Sequence, residues 1–364
     1  MKRQAVFFGA ASAIGLVAGS GLAQAQITIT ASDMFNQVGQ YYRAYANATD
    51  FNVSGRLGST GGPQAWDFTT GPQELIYRFD YLAPSAAPDI ELFPGATFVE
   101  RKTVESTGAT AFMYLDQVAG KGRMNYGFYD PEFSSTFPAS PFVPPINDFP
   151  ATIGYQDTWS VSTVFETEIV VIDPDPEEGG GFGIPARITY TASAVADAYG
   201  ILNQPGIGFG ECLRVNELTQ YDIAVDIMGD GNYQSIDVQF VRNFYFLRKG
   251  YGIAVQVTSR QQATPPPDNF ALAAGVVRMF ETNHGQGGNE EVQIKDFRIT
   301  LGKDSALLQW TKAAGIATYR VDYSTDLAAA GGGWRELQTT TSNFVVDGAV
   351  KESPTRFYRV VGLR

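Results

Sequence analysis

Between Arg187 and Arg260 the chain alternates short β-compatible runs with turn clusters, and this constrains its fold more than any other feature. The runs are Ile188 to Ala194, Cys212 to Val215, Gln220 to Val225, Val238 to Leu247 and Ile253 to Val257. Side chains alternate across a strand, so Val238, Phe240, Phe244 and Phe246 share one face of the fourth run, and Gln239, Asn243 and Tyr245 share the other. Gly, Asn, Asp and Pro lie between the runs, where antiparallel turns need them. The expectation is an antiparallel sheet core. The 13% aromatic content, with 25 Phe and 18 Tyr, leans the same way.

Further runs extend the pattern upstream. Ile27 to Thr30 opens it, and Tyr41 to Tyr45, Ala65 to Phe68 and Leu75 to Leu82 follow. Thr110 to Leu115 and Met124 to Tyr129 read as hairpin arms about Gly120-Lys121-Gly122. Tyr199 to Val215 reads as a hairpin turning at Pro205-Gly206. Residues 130–150 carry Pro131, Pro138, Pro141, Pro144, Pro145 and Pro150, which remove too many ladder donors for a central strand. They are expected to be a loop pinned by Phe133, Phe137, Phe142 and Phe149, the alternative being an exposed lip for an apolar or sugar ligand.

The first residues have the composition of a secretory signal. Lys2 and Arg3 precede the small apolar run Ala5 to Ala18, and Ala23-Gln24-Ala25 gives a small-x-small cleavage pattern. The expected layout is a signal at 1–25 and a large β domain at 26–260. A Pro/Gly-rich linker follows at 261–291 around Pro265-Pro266-Pro267, and a small all-β module at 292–364. Loss of Lys2 and Arg3 takes the formal charge from −12 to −14. An acidic surface repels phosphate backbones, so nucleic acid is not an expected partner. An extracellular polysaccharide or an envelope component is, at the cell surface, in the periplasm or outside the cell. Cys212 is the only cysteine, so no internal disulfide forms, and its apolar strand reads as a buried structural position.

The terminal segment carries a resemblance. Leu308-Gln309-Trp310, Tyr319 to Leu327, Gly333 to Leu337 and Arg356 to Val360 resemble the fibronectin type III-like modules that end many secreted bacterial proteins. The resemblance covers about 70 residues and implies a small β-sandwich, although little remains after Val361 for a seventh strand. Gly62 to Phe68, Tyr199 to Leu202 with Leu213 to Val215, and Phe244 to Gly252 resemble uncharacterised β domains of secreted bacterial surface proteins, which implies secretion and a β fold only. The fold class expected is all-β, a large antiparallel sheet domain (a sandwich or curved half-barrel) followed by a fibronectin type III-like sandwich.

Chemistry-bearing patterns are sparse. His284, the one histidine, sits in a Gly-rich stretch and reads as a solvated loop residue, a poor place for an oriented imidazole. Asp226 to Asp237 partly fits a calcium loop through Asp226, Asp230, Asn232 and Asp237. Met228 supplies no oxygen where one is needed, and Asp230-Gly231 favours a tight hairpin turn instead. Calcium is the only cofactor these residues raise. The acidic stretch Asp173 to Glu178 reads as a solvated tip. Carboxylates near aromatics, Asp67, Asp157 and Glu211, are the acids a hydrolase would use. Trp66, Trp159 and Phe142 are the expected ligand-binding aromatics. The functional expectation is a secreted or cell-surface, non-catalytic binding or structural protein, with a glycan as its candidate ligand. The alternatives are a carbohydrate-active hydrolase or a periplasmic carrier of a lipid or other apolar ligand.

Overall fold

The computed structural model describes residues 27–134, 137–171, 182–284, 292–294, 297–312, 318–325, 334–352 and 355–363. The signal segment and the acidic tip therefore lie outside the described residues. The strands are β1 (Thr28–Thr30), β2 (Tyr41–Ala46), β3 (Phe51–Asn52), β4 (Gly61–Asp67), β5 (Leu75–Leu82), β6 (Phe98–Val104), β7 (Thr110–Val118) and β8 (Gly122–Tyr129). There follow β9 (Ala139–Pro150), β10 (Thr152–Gly154), β11 (Thr158–Val171), β12 (Phe182–Gln204), β13 (Gly208–Val225), β14 (Gln234–Arg248), β15 (Gly252–Ser259) and β16 (Leu272–Thr282). The terminal segment adds β17 (Val292–Gln293), β18 (Arg298–Leu301), β19 (Ala306–Gln309), β20 (Thr318–Ser324), β21 (Arg335–Thr340), β22 (Phe344–Asp347) and β23 (Phe357–Leu363).

The main sheet has 14 strands; β4 continues the path beyond β12, and β3 lies off it, paired with β16. The other twelve run β11-β9-β8-β7-β6-β5-β2-β16-β15-β14-β13-β12, and β12 returns to pair with β11, so the sheet closes on itself as an antiparallel barrel-like ring. Closure removes the edge strands that the expected half-barrel would have exposed. The ring is unevenly sewn. β11 and β12 are in register from Thr158↔Val195 to Val171↔Phe182, whereas β9 meets β11 at a single registered pair, Val164↔Val143.

Three expectations are corrected here. Residues 130–150 are not simply a pinned loop, because β9 occupies most of them. Its prolines act on the pairing instead: Pro141, Pro144 and Pro145 have no N–H to give, and β9 is the strand at the thin seam. The supposed linker 261–291 contains β16, which lies between β15 and β2 and completes the ring. His284 just beyond it is buried, not solvated. Its ring lies 4.6 Å from Phe35, Nδ1 accepts from the Gln40 amide at 2.7 Å, and Nε2 donates to the Asp33 carbonyl at 3.2 Å.

The largest apolar cluster lies outside the wall. Phe244 and Phe246 are fully buried against Trp66, Phe68, Leu57, Val53 and Phe270, which belong to the segment carrying β3 and β4 and to the approach to β16. Phe246 meets Trp66 and Phe68 edge-on at 5.3 and 5.0 Å. Buried arginines clamp this cover to the ring. Arg278 donates to the carbonyls of Phe68 and Pro72, both at 2.6 Å, and Arg214 donates to the Leu57 carbonyl while paired with Asp197 at 2.8 Å. Inside, Ile27, Ile29 and Ile153 of the β1–β10 pair pack on Phe149, Val215 and Leu247 and fill one end of the barrel. Phe35, Tyr42, Phe79, Leu115 and Met279 form a second inner cluster.

The terminal strands form two sheets, β17-β23-β20-β21 and β18-β19-β22. They share a core of Ala306, Leu308, Trp310, Tyr319, Val321, Val345 and Val360. β17, from the start of the segment, pairs with β23.

Candidate functional site

Period-2 alternation on β12, β13 and β14 fixes what the lumen sees. Since Phe244 and Phe246 point outward, Asn243 and Tyr245 must point in, and the register carries this to the neighbours: Glu217 lies opposite Asn243, and Tyr190 opposite Tyr221. The opposite wall is built by β2, β5 to β9 and β16. The walls leave a cavity of about 550 Å³, within the range of small-molecule sites. Phe128, Phe142 and Phe165 form one packed side of it, with Phe128 5.4 Å from Phe165 and 6.0 Å from Phe142, both edge-on. Phe133, half exposed on the β8–β9 connection, reaches the same group from the open end.

The polar groups fall into two sets. On one wall Arg123 grips Asp148 with both ends of its guanidinium, at 3.0 and 2.8 Å, while Glu100 accepts from the Tyr81 hydroxyl and Lys102 lies nearby. Burial pushes the Glu100 carboxyl up, and the neighbouring Arg123 opposes the shift. On the other wall stands Glu217, 7% exposed. Its Oε1 accepts from the Asn243 amide at 3.1 Å and from the hydroxyls of Tyr245 and Thr219, each at 3.2 Å. Burial pushes this carboxyl up as well, and the Asp148 charge adds to the shift. The phenols of Tyr190, Tyr221 and Tyr245 are held neutral by burial first and by the Glu217 charge second, that of Tyr221 being raised to about 12.

Of the expected ligand-binding aromatics, the structure brings only Phe142 into this cavity. Trp66 is 3% exposed in the outer cluster, its indole donating to the Leu57 carbonyl at 3.1 Å. Trp159 packs beside Phe149 and donates to the Asp148 carbonyl at 3.1 Å, lining a shallow depression with Ser193 to Val195. The expected metal ligands are spent on the chain itself. Asp226 accepts the backbone N–H groups of Asp230 and Gly231 at 3.2 and 2.7 Å, Asp230 holds Asn232, and Asp237 sits on β14 holding Gln239. β13 and β14 do form a hairpin there, but residues 226–233 make a wider connection than a two-residue turn. Among the described residues no group of three His, Cys, Asp or Glu is placed to hold a metal.

Asp67, Asp157 and Glu211 are all exposed and away from the lumen, Asp67 bonding Thr69 and Asp157 capping the Gly154 N–H. The acids that line the lumen are instead Glu100, Asp130, Asp148 and Glu217, none of them among the sequence candidates. The signal for Glu217 was present: it has the same parity as Val215 and Tyr221 within a run of apolar strand. Cys212 is buried, and burial raises its thiol well beyond the reactive range. The chain matches no model of a known protein family and no curated protein sequence.

Proposed function

We propose that the chain is an exported, non-catalytic binding protein that encloses a small amphipathic molecule in its barrel lumen. The observation carrying this reading is the aromatic-walled cavity of about 550 Å³ with few, converging polar groups. It favours the apolar-ligand carrier over a surface glycan binder, since Trp66 is covered and offers no platform for a sugar. Export rests on the signal-like composition of residues 1–25. The terminal segment is read as a fibronectin type III-like spacer. Supporting that are its two sheets, which share one core, and the pairing of β17 with β23.

The test is fluorescence of N-phenyl-1-naphthylamine, a neutral probe that brightens in apolar surroundings, titrated into residues 26–364. Saturable brightening is expected, weakened about tenfold by Phe142→Ala or Phe165→Ala, the loss of roughly one buried aromatic contact. A flat titration, together with native mass spectra showing no co-purified small molecule, would sink the reading.

A further inference from the structure

The lumen is charged unevenly. On the wall of β5 to β9, Glu100 and Asp148 face Lys102 and Arg123, and Asp130, just after β8, is held by the backbone N–H groups of Glu132 and Phe133. On the facing wall Glu217 has no lysine or arginine beside it among the described residues, and its three bonds all come from neutral donors to one oxygen, Oε1. Oε2 meets no protein donor and opens on the cavity. A carboxylate buried without a countercharge costs the fold free energy, and a ligand cation would recover it.

The surroundings of Glu217 are those a cation needs. Tyr190, Tyr221 and Tyr245 line the cavity with it, Tyr190 and Tyr221 with ring centroids 5.5 Å apart, and Phe142 stacks on Tyr190 at 6.3 Å. Aromatic faces around a desolvated point attract ammonium groups through the ring quadrupole, and a carboxylate among them adds direct charge pairing. Beyond this cluster Phe128 and Phe165 offer only apolar surface, with Phe133 at the open end.

Resting on the lumen-binding reading, we propose that the ligand is an organic cation: an amine or quaternary ammonium whose head sits against Glu217 within Tyr190, Tyr221 and Tyr245, and whose apolar tail lies along Phe128, Phe142 and Phe165. Glu217 acts as the specificity-determining residue. Fatty acids, with the opposite charge, are disfavoured by the same carboxylate.

The experiment displaces N-phenyl-1-naphthylamine from the full chain with three probes of one tail length: dodecyltrimethylammonium, dodecanol and dodecanoate. Dodecyltrimethylammonium is expected to displace the dye at a concentration at least about tenfold below dodecanol, with dodecanoate weakest, the scale of a charge-assisted contact. Glu217→Gln should erase the preference for the cation over dodecanol, and Glu100→Gln should keep it. Should Glu217→Gln fail to fold, Tyr221→Leu against Tyr221→Phe supplies the second reading, the first losing cation affinity and the second retaining it. Equal binding of the cation and dodecanol, tighter binding of dodecanoate, or a preference untouched by Glu217→Gln would overturn the inference with lumen binding intact. Failure of the dye and all three probes would instead bring down the lumen-binding reading itself.

Discussion

A buried acid and a buried base shape the stability of this protein in opposite directions. The Glu217 carboxyl titrates above the ordinary glutamate value of 4.5, chiefly because burial disfavours its charge. The folded chain thus keeps a proton that the unfolded chain has released. The stability this represents is complete below about 4.5 and is lost as pH rises through the folded-state value. Glu217→Gln, which keeps shape without the charge, is expected to melt above the wild type at neutral pH and to converge with it in acid. Equal melting temperatures at neutral pH would contradict this. His284 runs the other way. Burial holds its imidazole below 6.5, against the weaker pull of Asp33, so folding favours the neutral ring. Its contribution is present above about 6.5 and lost as pH falls from there towards the folded-state value. Urea unfolding should show wild-type stability declining over that window, and His284→Gln should lack that part of the decline.

The strands show which parts of the fold can be read from sequence and which cannot. Period 2 in Val238 to Leu247 identified β14 and its two faces, but not which face meets the lumen. That depends on the segment carrying Trp66 and Phe68, far away in sequence, which covers Phe244 and Phe246 from outside. The hairpins β7–β8 and β12–β13 were legible because Gly120-Lys121-Gly122 and Pro205-Gly206 are local turn signals. β9 was not, because its prolines are tolerated only where a partner strand asks little of it, and the partner cannot be seen locally. The same blindness hid Glu217: its parity was plain, its lack of a countercharge was not. Of the expected ligand-binding aromatics only Phe142 lies on the cavity. Amide exchange on the β9–β11 seam around Val143 and Val164 should be faster than on β12–β13, and equal protection would refute the thin seam. Gly200→Ala would put a Cβ into the Gln64 backbone where β4 runs beside β12, and Asp197→Ala would strand Arg214 beneath the cover. The second should cost about 3–5 kcal/mol in chemical denaturation.

At the scale of the whole molecule, the ring is complete only with β16. A chain ending at residue 284 should therefore unfold in one cooperative transition and still brighten the naphthylamine dye. One ending at residue 260 should lose both properties, because β15 and β2 are left without the strand between them. A dye-binding 26–260 fragment would show that the ring need not close. The packing of Phe244 and Phe246 from outside has a longer reach. Most small barrels must fill their middle to stand up, so their interior residues are committed to support. Here the outer cladding shares that duty with the inner clusters at Ile29 and Phe35, and the stretch of lumen around Glu217 is left freer to drift. Chains of this architecture could trade one cargo for another by single changes at positions such as Glu217, Tyr221 or Phe142, keeping Trp66, Phe68 and Phe246 as the fixed frame.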